Sequence, residues 1–166
     1  MEDDLRSIYQ TTLPHVFGYL MMHTAGNRAL AEDLTAETYL HATRHVHNGL
    51  AADVTVPWLK TVARRRLVDH WRREASQARR AERLGDQLAL VPDVDETDLV
   101  FERRRIEEAL SGLSADQRIV LVMKHLDGLS IGQIAAHMSR SEDGVASLLS
   151  RARAAFRLMY GGTIDA

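Results

Sequence analysis

The sequence contains no cysteine. That excludes disulfide bridges, thiol nucleophiles and cysteine-ligated zinc. No apolar run approaches the roughly 18 residues of a membrane span, so insertion into a membrane is not expected. The first ten residues, MEDDLRSIYQ, are acidic and lack the basic-then-apolar order of a secretory signal. A cytoplasmic location is therefore expected. No segment keeps a sustained period-two alternation, so strands are not expected either. There is no internal repeat, no low-complexity segment and no HExxH motif.

What is present is segregated charge. The formal net charge is only −2. Residues 1–53 nevertheless carry seven acidic and three basic side chains, and residues 84–108 carry eight acidic and three basic ones. Between them, Val54 to Arg83 holds nine Lys/Arg against three Asp/Glu. Trp58 and Trp71 sit among those arginines. Cations with flat rings between them suit a nucleic-acid strand, whose phosphates respond to charge and whose bases stack. The same run also reads as a solvated helix with two core tryptophans.

An apolar fraction of 45% is ordinary for a globular chain, and 166 residues allow one domain or two small ones. Spacings of three and four dominate, which predicts an all-α fold. Leu5, Ile8, Tyr9, Leu13, Val16, Phe17 and Leu20 mark a first helix, broken at Gly26-Asn27. A second runs from about Arg28 to Val46, with Leu30, Leu34, Thr38, Ala42 and Val46 on one face. Asn48-Gly49 ends it, and a loop leads to Pro57, which suits the first turn of a third helix reaching about Arg83. Pro92 with Asp86, Asp93, Asp95, Glu96 and Asp98 predicts a linker over residues 84–100. Helical pattern resumes near Phe101. Ser114 and Gln117 have capping-box spacing before a helix carrying Ile119, Val120, Val122 and Met123. Asp127-Gly128 turns the chain into a short helix, Ile131 to Met138, and Ser141 caps a last one burying Val145, Leu148, Leu149, Ala152 and Phe156. Short helix, tight turn and capped second helix form a helix-turn-helix pattern, although any three-helix bundle shares much of it. Separately, Glu37, His41 and His45 recur at four-residue spacing with His47 nearby, a pattern open to zinc or to surface histidines.

These motifs together resemble a bacterial extracytoplasmic-function sigma factor, a promoter-recognition subunit of RNA polymerase. Region 2 of that family is matched by residues 31–40 (AEDLTAETYL), then Pro57-Trp58-Leu59, Ala63-Arg64, Leu67-Val68-Asp69-His70 and Arg72-Arg73. Region 4 is matched by residues 113–118 (LSADQR), 126–130 (LDGLS), Ile134-Ala135, 141–145 (SEDGV) and 150–153 (SRAR). The resemblance implies two small helical domains, region 2 at 1–80 and region 4 at 104–161, joined by a flexible acidic linker at 81–103. It implies no cofactor and no catalysis by this chain. Its implied partners are core RNA polymerase, promoter DNA and an anti-sigma factor.

Carried over residue by residue, the resemblance puts Asp33 and Glu37 against the clamp of the polymerase's largest subunit, where carboxylates would meet basic groups. The loop 47–56, with Asn48, would capture a base flipped out of the −10 element, and Lys60, Arg64, Arg65, Arg72 and Arg73 would hold the melted strand's phosphates. Arg140, Ser141, Glu142, Ser147, Ser150 and Arg151 would meet the −35 element. Arg65 stands where the family often has asparagine, Gly49 where some relatives carry an aromatic residue, and Ala146 and Leu148 where many carry basic ones. Two other classes fit fewer of these features: a stand-alone helix-turn-helix regulator, and a metal-dependent enzyme using Glu37, His41 and His45.

Overall fold

The computed structural model describes residues 2–85 and 98–161. Among these, the chain forms helices and no strands: α1 (Glu2–His23), α2 (Arg28–His47), a single 3-10 turn (Ala51–Asp53), α3 (Val56–Leu84), α4 (Asp98–Ser111), α5 (Ala115–His125), α6 (Ile131–Met138) and α7 (Glu142–Gly161). The all-α expectation holds. By internal contacts the chain divides into two units, Met1–His70 and Trp71–Ala166, and the division falls within α3. No helix among the described residues is long and apolar enough to cross a membrane.

In the first unit, α1 ends where Ala25 (φ 51°) and Gly26 (φ 84°) take left-handed backbone. Glycine carries that conformation without penalty, which is why the chain reverses there. The Asn27 side chain then caps α2 by accepting the Leu30 N–H at 3.1 Å. The buried stripe of α2 is Ala31, Leu34, Thr35, Thr38, Ala42 and Val46. Leu30, expected on that stripe, lies half-buried at its edge. Thr35 and Thr38 enter the core because their hydroxyls donate back to the Ala31 and Leu34 carbonyls, each at 2.7 Å. Val16, Leu20, Leu34, Leu59 and Leu67 are essentially sealed from water and form the centre of the unit. The Tyr39 and Thr12 hydroxyls, 2.7 Å apart, join α2 to α1 at its edge.

In the second unit, both flanking helices reach into the segment expected as a linker, α3 to Leu84 and α4 from Asp98. Asp98 favours that start by placing a carboxylate in the first turn. Asp86, Pro92, Asp93, Asp95 and Glu96 lie outside the described residues. Ser114 and Gln117 form the expected capping box, with bonds of 3.1 and 3.3 Å. A second box, Ser130 with Gln133, opens α6 with bonds of 2.9 and 3.1 Å. Each cap contributes about 1 kcal/mol. Ile119, Val120, Ile134, Val145 and Ala152 are fully buried and bring α5, α6 and α7 together. Phe156, expected in this core, is only half-buried and stacks on Tyr160, with ring centroids 5.7 Å apart. It lies past the short α6, where fewer side chains remain to cover it.

Arg118 is a strongly desolvated charge of this unit, and it packs on Trp71. The Arg118 guanidinium lies over the buried Trp71 ring, 4.6 Å from its centroid, and 3.7 Å from the Glu74 carboxylate. Burial lowers the Arg118 pKa, while Glu74 and Glu107 pull it back up. Burial raises the Glu107 pKa, and Arg118 opposes that shift. Arg118→Ala should therefore cost about 2 kcal/mol in urea unfolding, by uncovering Trp71 and stranding Glu107. Because the lost partner stabilises ionised Glu107, the deficit should narrow as pH falls through the raised Glu107 pKa. A cost that is small and independent of pH would show that Arg118 is bystander rather than brace.

Candidate nucleic-acid interface

The first unit presents three features in sequence along the chain. Asp33 is exposed on α2, and Glu37, one turn on, is half-buried. Leu40 continues that outward face and is 62% exposed. An apolar side chain so open beside two carboxylates is a functional candidate that the sequence reading passed over. Its signal was present, since Leu40 falls off the buried stripe of Leu34, Thr38 and Ala42.

After α2, the Asn48 N–H caps the helix by bonding to the Arg44 and His45 carbonyls, both at 3.2 Å, and its side chain is exposed. Gly49 (φ 82°) then turns the chain into the 3-10 turn. Val54 is buried and anchors the far end of the loop, and the Thr55 hydroxyl accepts the Trp58 N–H at 3.4 Å as α3 begins. On α3, Lys60 and Arg64 are half-buried, with the Lys60 ammonium 5.9 Å from the Tyr19 ring centroid. Arg65, Arg72 and Arg73 are exposed. The five cations do not share one compact unit: Lys60, Arg64 and Arg65 belong to the first, and Arg72 and Arg73 to the second.

Trp58 is neither a fully buried core residue nor a free platform. It is half-buried and takes His45 at 4.7 Å and His41 at 5.7 Å between ring centroids. That packing, together with the absence of any grouping of three or more His, Asp or Glu fit to hold a metal ion among the described residues, removes the geometric basis for a Glu37/His41/His45 metal centre. Desolvation lowers the His41 pKa below its ordinary 6.5, and the charges of Arg66, His45, Arg44 and Arg65 act in the same direction. Arg66, not singled out from the sequence, is thus the principal cation at this ring.

In the second unit, α6 and α7 form the helix-turn-helix. Ser139 takes a left-handed conformation (φ 53°) after α6. Ser141 then caps α7 by accepting the Gly144 N–H at 3.1 Å, as expected. Glycine at 132 permits the close approach of the two helix starts, because a Cβ there would lie 3.2 Å from the Glu142 carboxylate. Glu142 is therefore held beside the first turn of α6. The stripe Val145, Leu148, Leu149 and Ala152 is buried. The opposite stripe exposes Ser147, Ser150 and Arg151, the last donating from Nε to the Ser147 carbonyl at 3.4 Å. Arg140, at the turn, forms an ion pair with Asp116 on α5, which fixes one edge of its guanidinium. Leu148, where the resemblance implied a basic residue, faces the core.

The His41 shift has a testable consequence. Since its folded pKa lies below the unfolded value, the stability it contributes is complete above pH 6.5 and is lost as pH falls through the folded value. The His41 ring should titrate below 6.5 in proton NMR, and Arg66→Ala should move its midpoint upward by removing the largest of the opposing charges. An unmoved midpoint in the variant would show that the Arg66 charge does not act on this ring.

Comparison with known proteins agrees with this geometry. Residues 8–77 match the family model described as Sigma-70 region 2, and residues 103–156 match Sigma-70, region 4. The ECF RNA polymerase sigma factor SigL of Mycobacterium tuberculosis is 32% identical over 159 residues, spanning 93% of this chain and 87% of that protein. SigK of Mycobacterium ulcerans is 30% identical over 159 residues, spanning 93% and 83%. In fold, the chain is similar to the sigma factor RpoE of Bartonella quintana, solved in complex with the anti-sigma factor NepR. That match has a TM-score of 0.57 and 22% identity and covers 94% of this chain and 96% of the other. The chain belongs to the ECF group of the sigma-70 family, the proteins with which RNA polymerase begins transcription at specific promoters.

Proposed function

We propose that this sigma factor docks on the polymerase clamp through the outward face of α2, stabilises the melted −10 strand with the α2–α3 loop and α3, and reads the −35 element with α7. Sigma factors are not themselves enzymes, and the polymerase carries out the chemistry. The observation that carries the reading is the division of α7 into one buried apolar stripe and one exposed stripe of Ser147, Ser150 and Arg151. A capped helix with small polar groups on its free face suits entry into the major groove. Gly49 and the exposed Asn48 leave the loop after α2 open enough to receive a flipped base, and the exposed Arg65 lies just beyond it. An anti-sigma factor is a further proposed partner. The docking face joins two carboxylates to the exposed Leu40, so a competitor could cover an apolar group and ionic ones together.

Run-off transcription on a genomic fragment library tests the reading as a whole. Specific transcripts should require both core polymerase and this protein. Duplex binding without any polymerase-dependent transcript would favour a stand-alone regulator.

Two sets of variants test the parts. Asp33→Lys with Glu37→Lys should weaken core binding by about 2 kcal/mol, roughly thirtyfold in Kd, by setting like charges against the clamp. Leu40→Ala should weaken it less. Unimpaired core binding by the charge-reversed protein would sink the docking assignment. At α7, Ser147→Ala should change preference at one or two −35 positions by about 1–3 kcal/mol if it contacts a base edge. Arg151→Ala should weaken all −35 variants about equally, as loss of a phosphate contact does. Selection from randomised −35 duplexes separates these outcomes, and identical preferred sequences for wild type and Ser147→Ala would remove Ser147 from the reading set.

A further inference from the structure

The loop between α2 and α3 is too short to pack on itself, and its exposed residues need an external guide if they are to meet a base in one position. Two anchors are evident at the main chain and the core: the Asn48 and Leu50 N–H groups both reach the His45 carbonyl, at 3.2 and 3.3 Å, and Val54 is buried. Between them the 3-10 turn Ala51–Asp53 buries no residue. Its Asp53 carboxylate lies 3.9 Å from Nε2 of His45 on α2.

His45 is not a loose surface residue. Its side chain is 24% exposed, and its ring is held against Trp58 from α3 at 4.7 Å. One imidazole therefore touches all three elements that border the loop: α2 through its own backbone, the 3-10 turn through Asp53, and α3 through Trp58. We propose that His45 is a positioning residue that pins the 3-10 turn through Asp53, with the Trp58 ring as its backstop, and so sets where the loop presents its exposed residues. This inference rests on the proposal that the loop receives the −10 base.

The charges around the site decide which histidine serves. His41 stacks on Trp58 too, at 5.7 Å, but the charges that bear on it are those of Arg44 on α2, Arg65 and Arg66 on α3, and His45. His45 faces Asp53 across the loop, with His41 as its neighbour on the helix. At 3.9 Å the His45 imidazole gives the Asp53 carboxylate a polar partner across the loop. Because Asp53 is 62% exposed, water screens that pair and the effect is modest, about threefold in binding.

The test uses the full chain bound to core polymerase and a fluorescent single-stranded −10 oligonucleotide. His45→Ala and Asp53→Asn should each weaken strand binding about threefold, and the double variant should be no weaker than either single one. His45→Gln, which keeps an N–H donor toward Asp53, should bind better than His45→Ala. Binding to a −35 duplex serves as the folding control and should not change. Additive losses would overturn the positioning role. Asn48→Ala probes the reading beneath it: unchanged strand binding overturns the assignment of the loop to the −10 strand, whereas lost binding without His45–Asp53 coupling overturns the positioning role alone.

Discussion

Burial of one face of α7 is the constraint on which the second unit depends. Val145, Leu148, Leu149 and Ala152 must leave water, and α4, α5 and α6 supply the apolar surface that receives them. At about 25 cal/mol per Å² of apolar area, such a stripe outweighs any single polar contact in the unit. The consequence is geometric. Once that face is inward, Ser147, Ser150 and Arg151 can only face out. The recognition surface proposed for the −35 element is thus the complement of the core. Leu148 belongs to that buried face and serves packing.

The cation-rich helix α3 obeys a different rule. Leu59, Val62, Ala63 and Leu67 turn its early turns into a core element, so its cations are pushed to the remaining arc. Lys60 and Arg64 lay their aliphatic stems along the protein and are half-buried, while Arg65, Arg72 and Arg73 extend into water. Charge density in the sequence therefore overstates the number of cations free to meet phosphate.

Charged or polar groups pack on aromatic rings at two places along α3, near its start and at its middle. Trp58 holds two histidines, and Trp71 lies under Arg118. In each case a flat apolar face lets a polar ring or guanidinium be partly desolvated without losing all electrostatic compensation. The two tryptophans thereby act as structural braces, closer to the core reading of the cation-rich run than to the stacking one.

The sequence by itself determined the all-α class, the breaks at Gly26, Gly49 and Gly128, the caps at Ser114 and Ser141, and the apolar stripes of α2 and α7, with Leu30 and Phe156 as the exceptions at stripe ends. All of these arise from forces acting within a few residues, so spacing and residue type suffice to show them. The Ser130–Gln133 box was equally legible and went unread. The order of the region 2 and region 4 motifs also carried the family. Only the tertiary structure decided that Arg118 covers Trp71, that Asp116 takes Arg140, and that His41 and His45 pack on Trp58 instead of converging on a metal. Those pairs join positions from 13 to 47 residues apart in the chain. No local periodicity encodes such meetings, because they depend on how whole helices are packed before any one side chain finds its partner.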